Sequence, residues 1–318
     1  MDMKVILLTI GASFLLAVLI GPLFIPLLRR LKFGQQIRTD GPQSHLKKTG
    51  TPTMGGIIIM LAALLAFLKF SDKTPEFWVL LIASLGFGLV GFLDDYIKIV
   101  FKRSLGLTAR QKLFGQLVFS VIICILLYQN HHSTAIGIPG TSVSFDMGWF
   151  YYPFVVIILF ATTNAVNFTD GVDGLLAGSG AIAFGAFAIL AMHASEHESA
   201  IFSAAMIGGM LGFLVFNAHP AKVFMGDTGS LGIGGGMAAV AILTKTELLL
   251  ILIGGIFVLE MFSVILQVGS FKLRGKRIFK MSPIHHHFEL SGWSEWRVVT
   301  TFWFIGLIFA GLGLVLGR

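Results

Sequence analysis

The sequence predicts an all-α polytopic integral membrane protein, and three observations predict it. The 318 residues are 55% hydrophobic and 12% charged, about half the charged fraction of soluble globular chains. Their mean hydropathy is +0.86. Apolar stretches near the ~20 residues needed to cross a bilayer recur along the whole length.

About ten transmembrane helices follow, at 4–28, 54–70, 77–93, 112–128, 149–166, 175–192, 200–217, 230–244, 248–269 and 298–317. The second, third and eighth are short. Residues 1–28 have a signal-like apolar run, but Lys4 is the only basic residue ahead of it and no small-x-small site precedes Arg29-Arg30, so an uncleaved first span is expected. The single cysteine, Cys124, falls inside an apolar stretch, which excludes an intramolecular disulfide and suits core packing. With no repeat, low-complexity linker or soluble segment, residues 1–318 read as one transmembrane domain.

Loop charge orients the bundle. Of the 23 Lys and Arg residues, only Lys4, Lys69, Lys73, Lys245 and Arg318 fall at one set of span ends; the other 18 fall in the first, third, fifth, seventh and ninth loops. The positive-inside rule then puts the odd loops in the cytoplasm and both termini outside. Topology also accounts for the net charge of +7, so nucleic acid is not an expected partner. On the outer side, residues 136–146 alternate apolar and polar around Pro139-Gly140-Thr141-Ser142, which predicts a short external β-hairpin. Trp149, Tyr151 and Tyr152 sit where an aromatic belt belongs.

Five aspartates lie where cytoplasmic span ends are expected, and acids at membrane ends are functional candidates. Asp94-Asp95-Tyr-Ile-Lys98 closes the third span, with Lys98 at helical spacing from both acids. Two adjacent carboxylates should not face the same way, so one would bind a cation while the other takes a proton or orients a partner. A solvated salt bridge explains the motif equally well taken alone. Asn164, Asn167 and Asp170 recur every three residues, giving a polar stripe at a helix end. Asp170-Gly171 and Asp173-Gly174 then break the helix. These groups suit a nucleobase, ribose or sugar, interhelical polar contact being the simpler alternative. Gly226-Asp227-Thr228-Gly229-Ser230 opens the eighth span in a turn whose N–H groups suit phosphate. An aspartate there repels phosphate unless a divalent cation bridges them, which points to Mg²⁺; Asp227 or Thr228 as a plain N-cap is the local alternative.

Two loops add cations and donors. Ser282-Pro283 precedes His285-His286-His287-Phe288-Glu289 and suits the start of a short helix. Consecutive histidines diverge, which argues against a three-histidine metal site and favours contacts to phosphate or sugar, with a structural role for at least one. The basic stretch 272–280 suits the anionic leaflet. In the first loop, Thr39-Asp40-Gly41-Pro42 and His45-Leu46-Lys47-Lys48-Thr49-Gly50-Thr51-Pro52-Thr53 read as a phosphate-contacting segment or a basic anchor. Glu260 is the one acid well inside a span, expected to face the bundle interior.

Taken in order, these motifs resemble the polyprenyl-phosphate N-acetylhexosamine-1-phosphate transferase superfamily across nearly the whole chain. The histidine motif, and Pro52-Thr53-Met54-Gly55-Gly56 after Lys47-Lys48, are similar to its phospho-N-acetylmuramoyl-pentapeptide transferase branch. The resemblance implies ten transmembrane helices in a bacterial plasma membrane, a cytoplasmic Mg²⁺-dependent active site and a homodimer. It implies transfer of phospho-N-acetylmuramoyl-pentapeptide from UDP-N-acetylmuramoyl-pentapeptide to undecaprenyl phosphate, giving UMP and lipid I for peptidoglycan and cell-wall synthesis. It also implies roles: Asp227 as the Mg²⁺ ligand, Asp94 or Asp95 acting on the lipid phosphate, and Lys98 and Lys112 on phosphates. Asn164, Asn167, Asp170 and Asp173 would serve the nucleotide, with Asn217 and Phe224 near uracil. His285, His286 and His287 would contact the sugar phosphate, and Lys48 and Thr53 the diphosphate. Competing readings are a sister transferase using UDP-N-acetylglucosamine, against which the three histidines argue, and a secondary transporter, whose site would lie nearer the bilayer midplane.

Overall fold

Small residues decide how close these helices come. In the computed structural model, which describes residues 2–30, 50–101 and 105–317, α1 (Met3–Arg30) turns Leu7, Leu8, Leu15, Leu19 and Leu23 outward and buries Thr9, Ser13, Ala17 and Gly21. That buried stripe packs on α7 (His197–Asn217), where a Cβ at Gly208 or Gly212 would stand 2.8 Å from the Cβ of Ser13 or 2.6 Å from that of Ala17. Ser13 Oγ donates to the Ala205 carbonyl at 2.6 Å. Small-on-small packing with a hydroxyl bond is how helices associate where lipid supplies no hydrophobic drive.

Between α1 and α7 lie α2 (Gly56–Phe70), α3 (Pro75–Val100), α4 (Ala109–Gln129), α5 (Tyr151–Thr169) and α6 (Leu175–His193). Thr74 caps α3 ahead of Pro75, and a Thr108–Gln111 capping box opens α4. Next come α8 (Gly226–Leu243), α9 (Glu247–Ile253), α10 (Gly255–Arg274), α11 (Ile284–Glu289) and α12 (Glu295–Leu316). Among the described residues, eight helices are long and apolar enough to cross a membrane. The protein is a mostly helical, multi-pass membrane protein.

The structure redraws three of the expected spans. α3 runs to Val100 rather than ending near residue 93. Its 26 residues make about 39 Å of helix against a ~30 Å hydrocarbon core, so Asp94 and Asp95 lie in its last turns rather than beyond its end. The stretch 248–269 is two helices, α9 and α10, parted at Gly254. α8 is the central helix: every residue from Thr228 to Leu243 is buried. A Cβ at Gly234 would stand 2.7 Å from the Thr163 Cα, and one at Gly235 would stand 2.5 Å from the Ala83 carbonyl. A helix walled by protein needs glycine more than leucine, which is why its sequence reads as a short, weakly apolar span.

The bundle end away from the aspartates carries the expected hairpin. β1 (Ala135–Gly137) pairs antiparallel with β2 (Ser144–Asp146) in the register Ala135–Asp146, Ile136–Phe145, Gly137–Ser144. The Gly140 N–H donates to the Leu316 carbonyl at 2.8 Å, tying the hairpin to the end of α12. Below it, Tyr151 Oη donates to Glu247 Oε1 at 2.7 Å and Lys245 Nζ lies 2.9 Å from the same oxygen. Glu247 is buried, so Tyr151→Phe removes a donor from a buried carboxylate, at an expected cost of about 1–3 kcal/mol. The measurement is the thermal midpoint in detergent; an unchanged midpoint would show that this cluster carries no stability.

Candidate active site

The last turns of α3 and the first turn of α8 meet because neither presents a side chain at the crossing. Any Cβ on Gly91 would overlap the Asp227 carbonyl and stand 2.7 Å from the Thr228 nitrogen. Gly226 adopts φ +77°, and a Cβ there would stand 2.7 Å from Asp95 Oδ2 and 2.8 Å from Thr53 Oγ1. Residues 52–56 complete the floor. Phe224 N–H donates to the Pro52 carbonyl at 2.8 Å, Gly55 N–H to the Phe224 carbonyl at 2.8 Å, and Gly56 N–H to the Met225 carbonyl at 2.9 Å.

On this scaffold Asp95 Oδ2 accepts from the Thr228 N–H at 2.9 Å and its hydroxyl at 2.8 Å. A carboxylate from another helix thus caps α8, satisfying a free donor and complementing the helix dipole. The alternative reading of Asp227 or Thr228 as a plain side-chain cap is not what opens this helix. Asp94 Oδ1 accepts from the Leu107 N–H at 2.8 Å. The second oxygens both approach one lysine: Lys98 Nζ is 2.5 Å from Asp94 Oδ2 and 3.7 Å from Asp95 Oδ1. This corrects the expectation that adjacent carboxylates cannot share a direction; each splits its two oxygens between an anchor and Lys98.

Asp227 occupies the centre. Its Oδ2 lies 2.9 Å from Lys112 Nζ and 3.1 Å from Lys98 Nζ, and its Oδ1 accepts from Asn167 Nδ2 at 2.9 Å. Asn167 Nδ2 also donates to Ser230 Oγ at 2.7 Å. One oxygen each from Asp94, Asp95 and Asp227 lies within 4.8 Å of the others. That is a hard-oxygen donor set of the kind Mg²⁺ takes. Three carboxylates against two ammonium groups leave a negative excess that a bound cation would offset.

The 170–174 turn follows α5. Asp170 Oδ2 accepts from the Gly226 N–H at 3.1 Å, and burial, followed by the Asp227 and Asp95 charges, pushes its carboxyl up to about 8. The expected stripe of Asn164, Asn167 and Asp170 is divided. Asn164 donates to Gln116 Oε1 at 3.2 Å and the Phe160 carbonyl at 2.8 Å, while only Asn167 reaches Asp227. Asp173 Oδ2 lies 3.0 Å from His219 Nδ1 and accepts from the Ala221 N–H at 3.1 Å; the same His219 nitrogen is 3.2 Å from Glu295 Oε2. Sequence reasoning missed His219 and Glu295, since each stands alone in its segment. Asn217 joins the two loops through the Gly174 N–H and the Val223 carbonyl, both at 3.0 Å. Phe224, next to Val223 in the chain, is half-buried.

The histidines diverge as expected. His285 Nδ1 is 3.0 Å from Glu260 Oε1, His286 Nδ1 is 2.7 Å from Glu289 Oε2, and His287 Nδ1 accepts from the Lys280 N–H at 3.2 Å. Of the three, His285 borders the 170–174 turn: a Cβ on Gly171 would overlap its Nε2. Thr53 is buried beside Gly226. Lys48, like the rest of the first-loop segment before Gly50, lies outside the described residues.

The sequence pattern of glycosyl transferase family 4 matches residues 77–245, the stretch holding all five aspartates. A phospho-N-acetylmuramoyl-pentapeptide-transferase of Bacillus pumilus is 62% identical over 315 residues, 98% of this chain and 97% of that protein. Proteins of the same name from Halalkalibacterium halodurans and Bacillus subtilis are each 60% identical, over 317 and 315 residues and 98% of this chain in both cases. With that likeness running end to end and the carboxylate–lysine centre inside the matched stretch, the chain belongs to the phospho-N-acetylmuramoyl-pentapeptide-transferase family.

Proposed function

We propose that this enzyme takes UDP-N-acetylmuramoyl-pentapeptide as donor and undecaprenyl phosphate as acceptor, releasing UMP and forming lipid I for peptidoglycan synthesis. The observation that carries the reading is Asp227 held between Lys98 and Lys112 beside Asp94 and Asp95. With a bound divalent cation such a centre would offset the charge of a diphosphate and an incoming phosphate together, and phosphoryl transfer asks little else of a protein.

The step itself is a displacement at phosphorus. An oxygen of the lipid phosphate forms a bond to the sugar-bearing phosphorus of the donor. The bond from that phosphorus to the bridging oxygen breaks, and the bridging oxygen leaves with UMP, taking the electron pair. A phosphate monoester is already ionised near neutral pH, so no general base has to remove a proton. Asp94 and Asp95 are each tied by ion pairs and N–H donors, which suits orienting a partner better than attacking phosphorus; we therefore favour direct attack over a covalent intermediate. Asp95 is the anchor of α8, and Asp94 with Lys98 faces the lipid phosphate.

The remaining groups take the donor. Lys98 and Lys112 exchange their carboxylate partner for phosphate oxygens, while Asn167, Asp170 and Asp173 serve the nucleotide. Phe224 and Asn217 border the uracil, with Asn217 acting through the loops it joins. His285, His286 and His287 serve the sugar phosphate, and Lys48 and Thr53 the diphosphate. Asp227, aided by Asp94 or Asp95, would hold Mg²⁺, which would supply charge neutralisation on the diphosphate. Residues 1–318 act as one domain in a bacterial plasma membrane, and the excess of lysine and arginine at the aspartate-bearing span ends supports a cytoplasmic site with both termini outside. A homodimer in lipid fits the family.

The test gives purified protein Mg²⁺, undecaprenyl phosphate and one UDP-sugar at a time, and measures UMP. Release with UDP-N-acetylmuramoyl-pentapeptide is expected. Release with UDP-N-acetylglucosamine alone would reassign the enzyme to the sister transferases.

A further inference from the structure

We propose that Glu260 is a positioning residue for the transfer, acting through His285: it fixes the imidazole so that Nε2 abuts the Asp170–Asp173 turn, and so holds in place the turn that serves the donor nucleotide. The proposal rests on the transferase reading.

Glu260 lies well inside α10 and is fully buried. A carboxylate in such a place is costly to keep unless it is paired or functional. Its partner is His285 on α11, also fully buried, with Nδ1 at 3.0 Å from Glu260 Oε1. An ionised carboxylate only accepts, so pairing with one places the hydrogen on Nδ1. That leaves Nε2 as the nitrogen on offer, the logic by which a buried acid orients a catalytic imidazole.

Nε2 is aimed at Gly171, where any side chain would overlap it, and Gly171 lies between Asp170 and Asp173. Among the described residues, neither His285 Nε2 nor Glu260 Oε2 has a hydrogen-bond partner. Buried polar atoms are almost always satisfied, so two orphaned atoms on one pair beside the site call for an explanation, and a positioning task supplies one. His286 lies edge-on against this ring with centroids 4.1 Å apart, and turning the ring over would take Nδ1 away from Glu260.

The experiment compares Glu260→Gln, Glu260→Asp and Glu260→Ala in the full-length protein, reading kcat and the KM of each substrate from UMP release, with the thermal midpoint as a fold check. Gln keeps the reach and an acceptor oxygen, whereas Asp keeps the charge but is one methylene too short. If Glu260 acts by positioning, Gln retains turnover within a few-fold, while Asp and Ala lower kcat by about 10–100-fold. The KM for undecaprenyl phosphate stays near the wild-type value. In a His285→Ala background, adding Glu260→Ala then lowers kcat no further. Equal or better turnover by Asp than by Gln, or a further drop in the double variant, would overturn the proposal. Should Ala fail to fold, the Gln–Asp comparison decides alone. Absence of UMP from the wild-type protein would instead strike the transferase reading itself.

Discussion

Asp227→Asn is expected to lower UMP release by about 10³-fold or more, the scale of losing a charged group that stabilises transition-state charge. Asp227 is where the centre converges: Lys98, Lys112 and Asn167 all bond to it. The amide is isosteric and still accepts from Asn167, so the architecture survives. What goes is the anion that orders both lysines and contributes the most accessible of the three carboxylates to a cation; its side chain is 18% exposed against 5% for Asp94 and 3% for Asp95. The residual activity should also need more Mg²⁺ for half-maximal rate. Turnover within tenfold of wild type, at an unchanged Mg²⁺ requirement, would remove Asp227 from the metal role.

Much of this centre was legible in the sequence because charge is expensive in a membrane. Asp94, Asp95, Asp170, Asp173 and Asp227 stood out at span ends, the helical spacing of Lys98 from Asp94 and Asp95 gave its local partners, and loop charge grouped them on one side. What spacing left open is which long-range partner each group takes. Asn164 and Asn167 share a helix face, yet one meets Gln116 on α4 and the other Asp227 on α8. The histidine triplet was readable as divergent, but the pairing of His285 with Glu260 joins residues 25 positions apart. His219 and Glu295 were invisible for the same reason. Span lengths failed where burial replaced lipid: α8 reads as a poor membrane helix because helices and not acyl chains surround it.

The same close packing gives the second large effect. Gly91→Ala is expected to cut turnover by about 10²-fold, the price of moving reacting groups by roughly 1 Å, together with about 1–3 kcal/mol of overpacking strain. The new methyl would overlap the Asp227 carbonyl, and backbone in the middle of a bundle cannot step aside as a flexible side chain can. α3 and α8 must part, stretching the bonds from Thr228 to Asp95, now 2.9 and 2.8 Å, and drawing Asp227 away from Lys98. Gly88→Ala is the control. It lies nearly one turn earlier on α3, where an added Cβ meets Thr228 O at 3.4 Å and the Met60 methyl at 3.5 Å, ordinary contact distances. Alanine also favours the helix by about 1 kcal/mol over glycine, so Gly88→Ala should keep its thermal midpoint and activity. UMP release and midpoints for the two variants separate the cases. If both behave alike, the α3–α8 crossing at Gly91 does not set the position of Asp227.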